Sequence, residues 1–275
     1  MSRPAIARPV AAWCLLAALA APWCGCASEA SSPRLDPIPP VMVSGTVRAP
    51  GDSADLATWT ARRDLALARL GAGVPVVDRV EAARCTRNRA LALAGAGERA
   101  GELARADALA REALRSAPGD RSAGYWVARI ALDRFREGGV GGEALVEARR
   151  LLAVLVADDR SFGAGAALAA LAEAYASAGG RRPEAPELER AAAFFESTLD
   201  VDPGQRAALL EYAEEVLVPW GDLTSARRRL GACAELPLVE PSGDGQRFVD
   251  DDRAQRRCAE ILARTPEARH GAPAH

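Results

Sequence analysis

From Ala54 onward, small and apolar residues return at spacings of three and four, with Gly or Pro between the runs. That period is the turn of an α-helix, and strand-like alternation is nearly absent. The pattern predicts ten helices, near residues 54–70, 76–95, 99–117, 122–136, 143–157, 163–178, 187–201, 204–217, 222–235 and 248–264. Val41, Met42 and Val43 allow a short strand, which nothing else requires.

Every second helix repeats one motif. Ala106, Ala110 and Ala113 precede Pro118, and Ala148, Leu152 and Leu155 precede Arg160. Ala191, Phe195 and Thr198 precede Pro203, and Ala226, Leu230 and Cys233 close the series. These offsets of 0, 4 and 7 resemble the second helix of a tetratricopeptide repeat. Ala at offset 0 lets two helices approach closely, the next two positions fill the groove, and Pro stops the helix. The starts lie 42, 43 and 35 residues apart, against roughly 34 for the ideal repeat. The excess sits in the Gly-rich segment 137–142 and in the Gly/Pro segment 179–186. Leu168, Leu171, Ala172 and Tyr175 fit the first-helix pattern, as do Leu209, Tyr212, Ala213 and Val216. The expected architecture is therefore an all-α, tetratricopeptide-like solenoid over residues 54–264, with 248–264 as its terminal cap and a disordered tail at 265–275.

The N-terminal segment has a different pattern. Arg3 and Arg8 precede an apolar run from Val10 to Trp23. At about 14 residues it is short of the ~20 needed to span a bilayer, so it reads as a secretory signal over 1–25. Cys26, preceded by Gly25, resembles the lipidated cysteine of a bacterial lipobox; cleavage after Ala20 or Ala27 by ordinary signal peptidase is the alternative. Ala27, after the cysteine, points to the outer membrane. The Pro/Ser-rich stretch that follows, with Pro33, Pro37, Pro39, Pro40 and Pro50, suits a tether over 26–53.

Composition narrows the chemistry. All 35 basic residues are Arg, and the only two His are His270 and His275. Without Lys there is no Walker loop, kinase lysine or Schiff base. Without His in the folded body there is no Ser-His-Asp triad and no HExxH zinc site. No carboxylate pair stands out by its spacing, so the expectation is a non-enzyme with no catalytic residue, cofactor or metal. A net charge of −2 gives nucleic-acid binding little support. Most Arg lie close to acids in sequence and read as solvated faces with i,i+4 pairs. The triplet Asp250, Asp251 and Asp252 reads as the capped N-terminus of the last helix.

Export implies an oxidising compartment, where disulfides persist. Cys233 and Cys258 fall on adjacent antiparallel helices and allow a bridge; buried thiols are the other reading.

The stretch from Gly163 to Asp202, the continuation from Leu209 to Leu230, the closing segment from Asp251 to Arg264 and a weaker echo at Trp59, Arg62, Arg63 and Asp64 resemble the T component associated with TRAP-type transporters, the TatT-like lipoproteins. The resemblance implies a periplasm-facing lipoprotein that partners a solute-binding protein and helps deliver a small hydrophobic or carboxylated ligand. The alternative is a generic tetratricopeptide lipoprotein that assembles other envelope proteins. Homo-oligomerisation is open. Either way, the first helix of each hairpin should line a concave binding face. Tyr125, Trp126, Arg129, Tyr175 and Tyr212 are the candidates, because aromatics and Arg dominate binding hot spots.

Overall fold

The computed structural model describes residues 46–47, 56–71, 73–179, 186–237, 239–240 and 246–264. All of these fall in one compact unit, Pro39–His275. The signal segment, Cys26, Val41–Val43, most of the expected tether, the 180–185 segment and the tail at 265–275 lie outside the described residues.

Ten helices follow in order. They are α1 (Leu56–Ala68), α2 (Val76–Ala92), α3 (Ala96–Ser116), α4 (Arg121–Arg136), α5 (Gly142–Asp158), α6 (Ala166–Gly179) and α7 (Pro186–Val201). Next comes α8, which runs through Arg206–Tyr212, a π-helical Ala213–Leu217 and Val218–Trp220. The last two are α9 (Leu223–Glu235) and α10 (Gln246–Arg264). Helices α2/α3, α4/α5, α6/α7 and α8/α9 pack as four successive hairpins, with α1 against α2 and α10 against α8 and α9. The fold is an all-α, tetratricopeptide-like array.

The repeat positions explain the hairpins. Ala106, Ala110 and Ala113, Ala148, Leu152 and Leu155, Ala191, Phe195 and Thr198, and Ala226, Leu230 and Cys233 are all buried. Small side chains at the crossing let backbones approach, and the larger ones fill the next groove. Capping marks two starts. The Asp120 carboxylate accepts from the Ala123 N–H at 2.7 Å, and Asp222 accepts from the Ser225 N–H at 3.0 Å. Gly221, at φ +78°, makes the left-handed stop between α8 and α9. The C-terminal helix is covalently fixed: Cys233 and Cys258 form a disulfide with Cα atoms 6.2 Å apart.

Three features depart from the sequence expectation. Helix α6 begins at Ala166, because Gly163, Ala164 and Gly165 all adopt positive φ and form a turn. Helix α8 extends past 217, because its π-helical Ala213–Leu217 runs directly into Val218–Trp220, where Pro219 cannot donate a backbone hydrogen bond. Thr46–Val47 (β1) pairs antiparallel with Val239–Glu240 (β2), so part of the expected tether is hydrogen-bonded to the end of the array.

Candidate functional site

The inner faces of α2, α4, α6, α8 and α10 surround a cavity of about 820 Å³. Helical periodicity selects its wall. Helix α4 supplies Tyr125, Trp126, Arg129, Asp133 and Arg136, at spacings of one to four along one stripe. Helix α6 supplies Ala166, Ala169 and Glu173, and α8 supplies Ala207, Leu210 and Glu211. Helix α2 adds Arg87 and Leu91, and α10 adds Asp250, Arg253 and Arg257.

Charges alternate along this wall. Asp250 accepts from Arg87 Nη1 at 3.1 Å, and Arg87 Nε donates to Asp133 at 2.7 Å. Asp133 lies 3.5 Å from Arg129, which donates to both Glu173 oxygens at 2.6 Å. Glu173 is 3.3 Å from Arg136, and Arg136 grips Glu211 with two bonds of 3.1 and 2.7 Å. Seven side chains from five helices thus form one chain of ion pairs. Burial alone would raise the Asp133 carboxyl, but Arg87 and Arg129 hold it below its ordinary value. At Glu173, only 3% exposed, burial wins and the carboxyl is raised despite Arg129 and Arg136.

The rest of the wall is aromatic and incompletely bonded. Tyr125 packs edge-on to Trp126, with centroids 5.3 Å apart, and tilts against Phe162 at 5.7 Å. Its hydroxyl has no hydrogen-bond partner among the described residues, and burial pushes its pKa up to about 12. Gln205, 8% exposed at the start of α8, leaves its side-chain oxygen without a partner. Arg253 donates to the Leu91 carbonyl at 2.7 Å but pairs with no carboxylate among the described residues. Burial, with Arg87 nearby, lowers its pKa to about 10.

Of the five residues expected on the concave face, Tyr125, Trp126 and Arg129 line the cavity. Tyr175 and Tyr212 do not, and the expectation for them is corrected. Tyr175 stacks on Phe194 at 5.7 Å, with the Arg149 guanidinium 4.8 Å from its ring centre. Tyr212 stacks on Phe195 at 5.4 Å and donates to Glu196 at 2.8 Å. Both rings pack against α7, and α6 and α8 instead meet the cavity through Ala166, Ala169, Glu173, Ala207, Leu210 and Glu211. Trp126 is also a core residue, 6% exposed and packed with Val80, Ala83 and Ile130.

Two electrostatic readings are corrected as well. The Arg residues are not mainly solvated i,i+4 partners: Arg87 is 1% exposed and bonds an acid 46 residues away. Glu102 likewise gathers Arg63 and Arg89 from α1 and α2. The triplet lies inside α10, not at its cap. Asp250 reaches Arg87, while Asp251 accepts from the Arg206 N–H at 3.0 Å and so caps α8. Asp252 is buried 3.3 Å from Arg256. Arg87, Asp133, Glu173, Glu211 and Arg253 were not among the residues that the sequence pattern singled out. One signal was available: Glu173 is the only charged residue of the otherwise Ala- and Leu-rich α6, where a buried acid requires a partner.

No protein-family model matches the chain, and no curated protein matches it. Among solved structures, it is similar to one titled "MamA RS-1 ArsTM double mutant", at 18% identity and a TM-score of 0.39. That similarity covers 67% of this chain and 94% of the other.

Proposed function

We propose that the chain is a non-enzymatic exported lipoprotein scaffold that binds a periplasmic solute-binding protein and holds a small ligand in its interior. Cys26 carries the lipid, and the helical array faces the periplasm from the outer membrane. The cavity carries this reading. It is built from side chains of five helices, and its size falls within the roughly 300–1,000 Å³ typical of small-molecule sites. Its charged groups are Arg, Asp and Glu engaged mainly with one another, an arrangement suited to positioning and binding. The signal segment, the Gly25–Cys26 pair and the resemblance to TRAP-associated T components support the envelope location and the partner.

The test is capture from the native host. The full chain is cross-linked in intact cells, and attached proteins and lipid are identified by mass spectrometry. Recovery of a solute-binding protein, with diacylated Cys26, supports the proposal. Recovery of envelope-assembly proteins alone replaces it with the assembly-scaffold alternative. An unmodified Cys26, or a chain cleaved elsewhere, removes the lipid anchor.

A further inference from the structure

We propose that the junction of α5, α6 and α7 binds a phosphate group through Arg149, Arg190 and the Tyr175 hydroxyl. This site is separate from the cavity, and it depends neither on the ligand nor on the partner proposed above.

Three neighbouring helices bring these groups together. Tyr175 of α6 stacks on Phe194 of α7, with the rings 15° apart. The Arg149 guanidinium, from α5, lies 4.8 Å from the Tyr175 ring centre. The Arg190 guanidinium, from α7, lies 5.7 Å from the same centre. Tyr175 does not line the cavity, and neither does any residue of α5 or α7.

Helical spacing leaves both cations short of acids. Arg149 has Leu145, Val146, Leu152 and Ala153 three and four positions away, where a helical ion-pair partner would stand. Arg190 has Pro186, Ala193 and Phe194 at those positions, with Glu187 as the one acid. Neither guanidinium pairs with a carboxylate among the described residues. Acids on the same helices are engaged elsewhere. On α5, Glu147 holds Arg111 and Asp158 holds Arg121; on α7, Glu196 accepts from Tyr212.

The unspent hydrogen-bonding capacity selects the ligand. Stacking on a ring uses the face of a guanidinium and leaves its N–H edge available. The Arg149 Nε is buried and has no hydrogen-bond partner. The Tyr175 hydroxyl has none among the described residues. A buried donor left unpaired costs free energy, and two like charges around one ring repel each other. An oxyanion at this point relieves both penalties. Two guanidinium forks and a hydroxyl offer more donors than the two oxygens of a carboxylate can use. A phosphate group presents at least three acceptor oxygens and carries more charge, so it fits the set better.

The test is calorimetric titration of the full chain with inorganic phosphate, with glycerophosphoglycerol (a phospholipid headgroup freed of its acyl chains) and with acetate. The expected result is one phosphate group per chain, with acetate about tenfold weaker or more. Arg190→Gln, at an exposed position, should weaken phosphate about tenfold in a fully folded protein. Arg149→Gln should do the same, and Arg149→Lys should restore part of the loss. Tyr175→Phe keeps the ring, removes the hydroxyl and should weaken phosphate severalfold. Arg69→Gln, at an exposed Arg just after α1, should leave the affinity unchanged. Tighter binding of glycerophosphoglycerol than of inorganic phosphate would support the site and make a lipid headgroup its source; the reverse order would support it with free phosphate as the source. Heat from neither phosphate probe, equal affinity for acetate, or unchanged affinity in both Arg→Gln variants would overturn the proposal.

Discussion

Arg87 of α2 and Asp250 of α10 meet at 3.1 Å although 163 residues separate them in the chain. Together with the Arg253 bond to Leu91, this contact joins the last helix to the first hairpin. The cavity therefore has a wall on the side where an open solenoid would be unbounded. The two contacts differ in burial: Arg87 is enclosed, whereas the Asp250 side chain is 30% exposed. Their loss should have different consequences.

Asp133→Asn should cost about 3–5 kcal/mol, because it leaves Arg87 buried beside a neutral amide. Asp250→Asn should cost about 1 kcal/mol, because its carboxylate reaches solvent. Urea denaturation of both variants checks the order. Equal losses would show that the enclosed and the partly exposed acids of the ion-pair chain are equivalent.

Acid should weaken the fold through Asp133 in a defined direction. Its folded-state pKa is lowered. Its stabilising contribution is thus complete above the unfolded carboxylate value, about 3.9, and is lost as pH falls through the folded value. Below pH ~4 the gap in stability between the parent chain and Asp133→Asn should narrow. A gap that widened with acid would mean that the carboxyl is raised.

Breaking the Cys233–Cys258 bridge should lower stability by about 3 kcal/mol, the cost expected for a loop of 25 residues. Replacing both by Ala should abolish the dependence of Tm on reductant. Cys85 should remain unreactive toward Ellman's reagent in the folded chain. It is fully buried, and burial with the Glu81 carboxylate beside it pushes its thiol up to about 12. Peptide mapping without reduction reads the bridge directly.

Ala148→Leu should overpack the α4/α5 crossing and cost about 1–3 kcal/mol. Val146→Leu, on the same helix but 66% exposed, should change stability by less than about 0.5 kcal/mol. Thermal unfolding of the pair tests whether offset 0 is a close-approach position.

Trp126→Ala should cost about 3–5 kcal/mol, the range for deleting a buried aromatic. Any loss of partner capture in that variant would be confounded by stability. Tyr125→Phe keeps the ring contacts with Trp126 and Phe162 and removes only the unpartnered hydroxyl, so its Tm should match the parent chain.

The helical periodicity by itself determined the ten helices and the four-hairpin order. A residue at offset 0, 4 or 7 contacts a sequence neighbour in an array of hairpins, so local spacing encodes that contact. Ala106, Ala148 and Ala191 were legible for this reason. The juxtaposition of Cys233 and Cys258 was within reach too, because adjacent helices carry them.

The cavity depended on something no local pattern holds. Its charges come from α2, α4, α6, α8 and α10, and the superhelical path of the chain brings them together. Arg87 finds Asp133 at a separation of 46 residues and Asp250 at 163. Periodicity marks which face of a helix is apolar, but not which distant helix lies opposite a buried charge. Tyr175 and Tyr212 were assigned to the concave face from their first-helix positions and residue type, but both rings stack on α7, at Phe194 and Phe195, and do not reach the cavity. The sequence thus determined the repeat, through contacts between neighbours. The tertiary structure decided the site, because burying an Arg requires a partner wherever the fold happens to deliver one.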